Sequence, residues 1–107
     1  MKDDLTITLD NTDTTARRYI LSGRIGSTES NILQHKLGEE FSSGHSSFVL
    51  NMRQITFLSS AGIRVLLASY KEAKKRGGSF YVESPSENVI NVLGMTALDE
   101  MLLNKND

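Results

Sequence analysis

The stretch Phe48-Val49-Leu50-Asn51-Met52-Arg53-Gln54-Ile55-Thr56-Phe57-Leu58-Ser59-Ser60-Ala61-Gly62-Ile63-Arg64-Val65-Leu66-Leu67 decides how this chain is read. Phe48 to Leu50 is a short apolar run rich in β-formers, as a central strand requires. The strand is expected over Ser47 to Asn51, followed by a loop. Ser59 and Ser60 then stand at a helix start, where a hydroxyl can accept from an orphan backbone N–H. Ile63, Leu66, Leu67, Tyr70 and Ala73 repeat at helical spacing. This helix should run from near Ser60 to Arg76 and stop at Gly77-Gly78. Lys71, Lys74, Lys75 and Arg76 fall in its last turns, where cations oppose the negative helix end.

Upstream, Leu5, Ile7 and Leu9 alternate with Thr6 and Thr8, a half-buried strand. Asn11 to Thr15 is a polar turn cluster, and Arg17 to Ser22 reads as the second strand. So short a link makes the two strands antiparallel neighbours. Gly23-Arg24-Ile25-Gly26-Ser27 is expected to end the second strand, with both glycines serving a turn. Ser27 or Thr28 can cap a helix to about Ser42, with Ile32, Leu33, Leu37 and Phe41 as its apolar stripe. Gly44 stands where a helix C-terminal glycine belongs.

Downstream, Phe80 to Glu83 is the fourth strand. Ser84-Pro85-Ser86-Glu87 reads as a capping box with proline at the first helical position. Val89, Ile90, Val92 and Leu93 follow, and Gly94 should end the third helix. Thr96 to Glu100 reads as a further helical turn, and Met101 to Leu103 as a closing strand or docked tail. Asn104 to Asp107 should fray. The order β-β-α-β-α-β-α implies one α/β domain over residues 1–107, with a mixed sheet of four to five strands. Strands two, three and four are joined by helical crossovers, so they should pair in parallel with right-handed connections.

A chain of 107 residues can bury a real core without staples. Lys+Arg number 12 against Asp+Glu 13, a balance that argues against nucleic acid or a membrane surface as partner. The absence of cysteine excludes disulfides and thiolate metal sites and fits a reducing compartment. No apolar segment follows Met1-Lys2-Asp3-Asp4, and none approaches membrane-spanning length, so a cytoplasmic location is expected.

The central stretch resembles the STAS domain, the fold of bacterial anti-sigma factor antagonists. That family carries a pattern like L-x-x-L-x-F-x-D-S-S-G-L, matched here by Leu50, Ile55, Phe57, Ser60, Gly62 and Ile63. The family's phosphorylated serine falls on Ser60. Its acidic residue just before that serine is replaced by Ser59, and its second hydroxyl residue by Ala61. A further family carboxylate, after the second strand, is replaced by Gly26.

The resemblance implies a signalling module rather than an enzyme. The unphosphorylated form would bind a serine kinase/anti-sigma factor, and phosphorylation of Ser60 would end the binding. A PP2C-type phosphatase would reset it. The docking surface then comprises Arg24, Ile25, Gly26, Ser27, Phe57, Leu58, Ser59, Ser60 and Arg64. Arg64 lies one helical turn past Ser60 and could pair with the phosphate. The alternative is a non-phosphorylated STAS adaptor of a transporter or sensory assembly, in which Ser60 is only a helix cap.

No catalytic or cofactor pattern competes with this reading. Gly-x-Ser-x-Gly around Ser60 fails at Leu58, and His35 and His45 both precede the serine, against the order of an α/β-hydrolase triad. Neither histidine has metal-ligand company. No Gly-x-x-x-x-Gly-Lys or Gly-x-Gly-x-x-Gly element is present, so no cofactor is expected and any ATP must be bound by the partner.

Overall fold

The computed structural model describes residues 4–12, 15–96 and 98–103. Alternation dictates its sheet. Tyr19, Leu21, Phe48, Leu50, Phe80 and Val82 point to one face and are buried, each worth roughly 1.5–3 kcal/mol of apolar transfer. Arg18, Asn51 and Glu83 share the other face, where Arg18 pairs with Glu83 and Asn51 donates to it. The strands are β1 (Leu5–Asp10), β2 (Arg17–Ile25), β3 (Ser47–Leu58) and β4 (Ser79–Glu83), in spatial order β1-β2-β3-β4. β1 and β2 are antiparallel; β2, β3 and β4 are parallel, as the crossover lengths predict. The helices are α1 (Ser27–Ser42), α2 (Ser60–Lys75), α3 (Glu87–Met95) and α4 (Asp99–Leu103). α1 packs on α2 and β2, α2 on β3 and β4, α3 on β3, and α4 on β4.

β3 is longer than its sequence pattern. The expected strand ended at Asn51, but pairing with β2 continues to Leu58. Between Ile20 and Ser22, and again between Gly23 and Arg24, the register shifts because β3 spends one extra residue. Each bulge flips the pleat. Burial therefore recurs at Met52, Ile55 and Leu58, a spacing of three that hides the strand from a search for alternation. Beyond Asn51, β3 has lost β4 as a neighbour, and the start of α3 takes its carbonyls instead. Ser86 N–H donates to Met52 O (3.1 Å), Ser86 Oγ to Ile55 O (2.6 Å), and Asn88 Nδ2 to Thr56 O (2.7 Å). These bonds answer the demand that backbone acceptors be paired.

β2 likewise runs on to Ile25 rather than stopping at Ser22. Gly23 is in the strand, not a turn, with φ +112°, and a Cβ there would lie 2.1 Å from Asp4 O. Only glycine allows Arg24 N–H to reach that carbonyl (2.7 Å).

α2 begins at Ser60 as expected, but α1 and α3 begin one or two residues away from the expected places. α1 is capped by Gly26, not Ser27 or Thr28, because the Glu29 carboxylate folds back onto Gly26 N–H (2.9 Å). Leu33, Leu37 and Phe41 are buried on α1, whereas Ile32 is exposed. α3 is capped by Ser86, which accepts from Val89 N–H, and Pro85 lies outside the helix; Ser84 takes φ +48° in the turn before it. α3 ends at Met95, one residue beyond Gly94. The tail forms helix α4, with Leu102 buried, rather than a fifth strand. The expected fraying of residues 104–107 lies outside the described residues, as do positions 13 and 14 of the hairpin link.

Candidate functional site

The site forms where β2 and β3 finish side by side. Arg24 is register partner to Phe57, and Ile25 to Leu58. Ile25 O accepts from Ser59 N–H (2.9 Å), which fixes the backbone at the turn into α2. Gly62 completes the junction. A Cβ at Gly62 would stand 2.7 Å from Leu58 Cδ1 and 2.8 Å from Ile25 Cγ2, so the first turn of α2 sits directly on these two side chains.

Two adjacent serines divide the work at the helix start. Ser59 is the N-cap, with extended backbone (φ −82°, ψ 168°), and its Oγ accepts from Gly62 N–H (3.1 Å). Ser60 is the first helical residue, is exposed, and its Oγ has no hydrogen-bond partner among the described residues. The expectation that Ser60 itself caps α2 is corrected: the cap is Ser59, because it alone has the extended conformation that aims its hydroxyl back into the helix. The N–H groups of Ser60 and Ala61 have no backbone or side-chain acceptor among the described residues, as expected of a first helical turn. That turn carries no acidic residue. Its electrostatic environment accommodates an added negative charge.

Arg24 and Phe57 form the exposed flank. Phe57 is 44% exposed, large for an aromatic ring. The Arg24 guanidinium lies 4.9 Å from its centroid. Behind them, Glu29 is buried at 6% exposure and approaches Arg24 Nη1 at 3.8 Å. Burial pushes the Glu29 carboxyl up, but hydrogen bonds from its own backbone N–H and that of Gly26, with Asp4 and the Arg24 charge, hold it below the ordinary carboxylate range. Gly26 is needed for steric reasons. Its Cβ would meet Glu29 Oε1 at 2.8 Å and Arg24 Nη1 at 3.1 Å.

The structure thus brings Arg24, Phe57, Ser59 and Ser60 to one end of the sheet, with exposed Arg64 one helical turn into α2 and exposed Ser27 opening α1. It removes Ile25, Leu58 and Gly26 from direct contact: Ile25 is fully buried, Leu58 is 3% exposed, and Gly26 is buried. They are the floor of the surface rather than part of its face. Glu29 was not among the residues singled out from sequence. The three-residue spacing from Gly26 to Glu29, that of a capping box, is the signal that marks it.

Residues 8–106 match the STAS domain family. The chain belongs to the STAS domain family. A curated relative of this STAS domain is the anti-sigma-B factor antagonist of Bacillus subtilis (strain 168), 26% identical over 82 residues, covering 77% of this chain and 74% of the relative. Among solved structures, an anti-sigma factor antagonist from Mycobacterium paratuberculosis superposes with a TM-score of 0.79 at 21% identity, covering 92% of this chain and 82% of the other. The anti-sigma factor antagonist SpoIIAA in its unphosphorylated form gives 0.79 at 17% identity, covering 92% and 86%. At these identities the structures establish the STAS fold. Among the described residues, no group of three or more His, Cys, Asp or Glu could hold a metal ion. Among them, too, no helix is long and apolar enough to cross a membrane.

Proposed function

We propose that this STAS domain is a non-enzymatic anti-sigma factor antagonist that binds a serine kinase/anti-sigma factor while Ser60 is free. Phosphorylation of Ser60 then ends the binding. The observation that carries this reading is the split between the two serines. Ser59 is committed to the cap, while Ser60 is exposed and its hydroxyl is unengaged among the described residues. The kinship with antagonists of sigma regulation supplies the partner class.

The chemistry needs nothing from this chain except an accessible hydroxyl. Ser60 Oγ attacks the γ-phosphorus of ATP held by the kinase, the bond to the β-phosphate oxygen breaks, ADP leaves, and the hydroxyl proton passes to a base of the kinase. A PP2C-type phosphatase would reverse the mark by hydrolysis, consuming water and releasing inorganic phosphate. The fold survives the modification because a helix N-terminus accepts an anion. The docking face does not, because it gains roughly −1.5 to −2 charge.

The test pairs site mapping with binding. Each kinase of the anti-sigma type encoded in the source genome is incubated with this protein and ATP, and the modified residue is mapped. Ser60→Ala should abolish phosphorylation and keep binding, and Ser59→Ala should keep phosphorylation. Ser60→Asp should fold but bind about 100-fold more weakly, since an unpaired charge desolvated at an interface costs several kcal/mol. Phosphate on Ser59, or full-strength binding by Ser60→Asp, would overturn the assignment.

A further inference from the structure

The chemistry of the docking partner can be read from Arg24. This inference rests on the proposed docking role and goes beyond it. Arg24 is held from two sides, by the exposed Phe57 ring at 4.9 Å and the buried Glu29 carboxylate at 3.8 Å. A guanidinium has five donors in a planar fork. Nη1 stands 3.8 Å from Glu29 Oε1, and the Arg24 side chain remains 48% exposed, so the fork is accessible to a second acid.

Two observations leave positive charge accessible on this face, although Asp4 and the buried Glu29 are acids beside Arg24. The first turn of α2 has no acidic residue. Arg64 is exposed and forms no ion pair among the described residues. An exposed aromatic ring beside an arginine whose side chain is already ordered is also the composition of an interface anchor. Preorganisation lowers the entropy lost when that arginine is fixed.

We propose that the Arg24–Phe57 pair anchors a partner surface that presents a carboxylate, with Glu29 as the positioning residue that holds the Arg24 fork in place. The phosphate on Ser60 would then act by neutralising a cationic face that the acidic partner requires. Repulsion by the partner's own acidic groups would add to the same effect.

Binding is measured between the full chain and the kinases used above, at about 0.05 M and about 0.5 M salt, where the screening length differs several-fold. The parent should weaken with salt by roughly tenfold. Arg24→Glu should lose about 100-fold and Phe57→Ala about 10-fold, while melting like the parent. Arg24→Gln should flatten the salt dependence.

Glu29→Gln separates positioning from bulk charge. It keeps the acceptor for Gly26 N–H but removes a negative charge. Long-range electrostatics alone would then tighten binding to an acidic partner, whereas loss of positioning weakens it, by about fivefold. Tighter binding by Glu29→Gln would overturn its positioning role. Parent-like binding by Arg24→Glu would overturn the acidic-partner assignment. If no kinase binds even the parent, the docking reading itself falls; if a kinase binds and Arg24 is silent, only this inference does.

Discussion

Where β2 and β3 begin, Glu40 is buried against Arg17 Nε at 2.8 Å, Lys36 Nζ at 3.6 Å and His45 Nε2 at 3.9 Å. Where the same strands finish, Ser60 and Arg64 face solvent, and neither has a side-chain partner among the described residues. At the first end one carboxylate collects two cations, Arg17 from β2 and Lys36 from α1, with the His45 imidazole of the α1–β3 link beside it, and Arg17 and Lys36 also lie over the Tyr19 ring. That arrangement satisfies itself and leaves little for a partner to read. At the second end the hydroxyl and the arginine are held by backbone geometry and left open. Charge at the first end is therefore paired inside the fold, whereas Arg64 at the second end stays open to solvent.

The largest effect that sharpens this contrast is expected from Glu40→Gln. Burial pushes the Glu40 carboxyl up, but the Arg17 hydrogen bond, with Tyr19, Arg17 charge and Lys36, holds it below the ordinary range. Removing the charge strands Arg17, so stability should fall by about 2 kcal/mol, less than for a wholly buried pair because Arg17 is partly exposed. Phosphorylation at Ser60 should be unaffected. Urea unfolding checks the first statement and phosphate incorporation the second. A lost phosphorylation rate in a folded Glu40→Gln protein would break the division between the two ends.

The same carboxylate sets an acid limb. Its pKa is lower folded than unfolded, so its stabilisation is fully present above the ordinary value of 4.5 and is lost as pH falls through the folded value. The parent should lose stability more steeply than Glu40→Gln below about pH 4.5. Melts across this range would show parallel curves if Glu40 were not a contributor.

Next in size is the pair of serines. Ser59→Ala should cost about 1 kcal/mol, because it removes the cap bond to Gly62 N–H. Ser60→Ala should cost under about 0.5 kcal/mol, as an exposed substitution away from any cap. Equal losses in the two variants would mean that the capping role is shared.

How much of this was legible in the residues follows from which signal each part carried. α2 announced itself by Leu66 and Ala73 at helical spacing, both buried. Parallel pairing of β2, β3 and β4 followed from crossover length. The far half of β3 was hidden because two bulges turn an alternating pattern into one of Met52, Ile55 and Leu58. The choice between Ser59 and Ser60 as cap was hidden for another reason: both have the right hydroxyl, and only backbone angles decide. Ile25 and Leu58 were expected on the docking face because they lie beside its exposed residues in sequence. The strand pleat sends Arg24 and Phe57 outward and these two inward.

The smallest effect probes whether the open end becomes self-satisfied once it is phosphorylated. Arg64 is four residues past Ser60 on the same helix, the spacing at which side chains meet. In the free protein it pairs with nothing among the described residues, so Arg64→Ala should leave the unphosphorylated melt unchanged. In the phosphorylated protein it can close on the phosphate, an exposed pair worth about 0.2–1 kcal/mol and weakened by salt. Arg64→Ala should therefore lower the melting temperature of the phosphorylated form alone, and more at low salt than at high. An equal shift in both forms would assign Arg64 to the helix rather than to the phosphate. A shift confined to the phosphorylated form would mean that the phosphate pairs with Arg64 as Glu40 pairs with Arg17 at the other end.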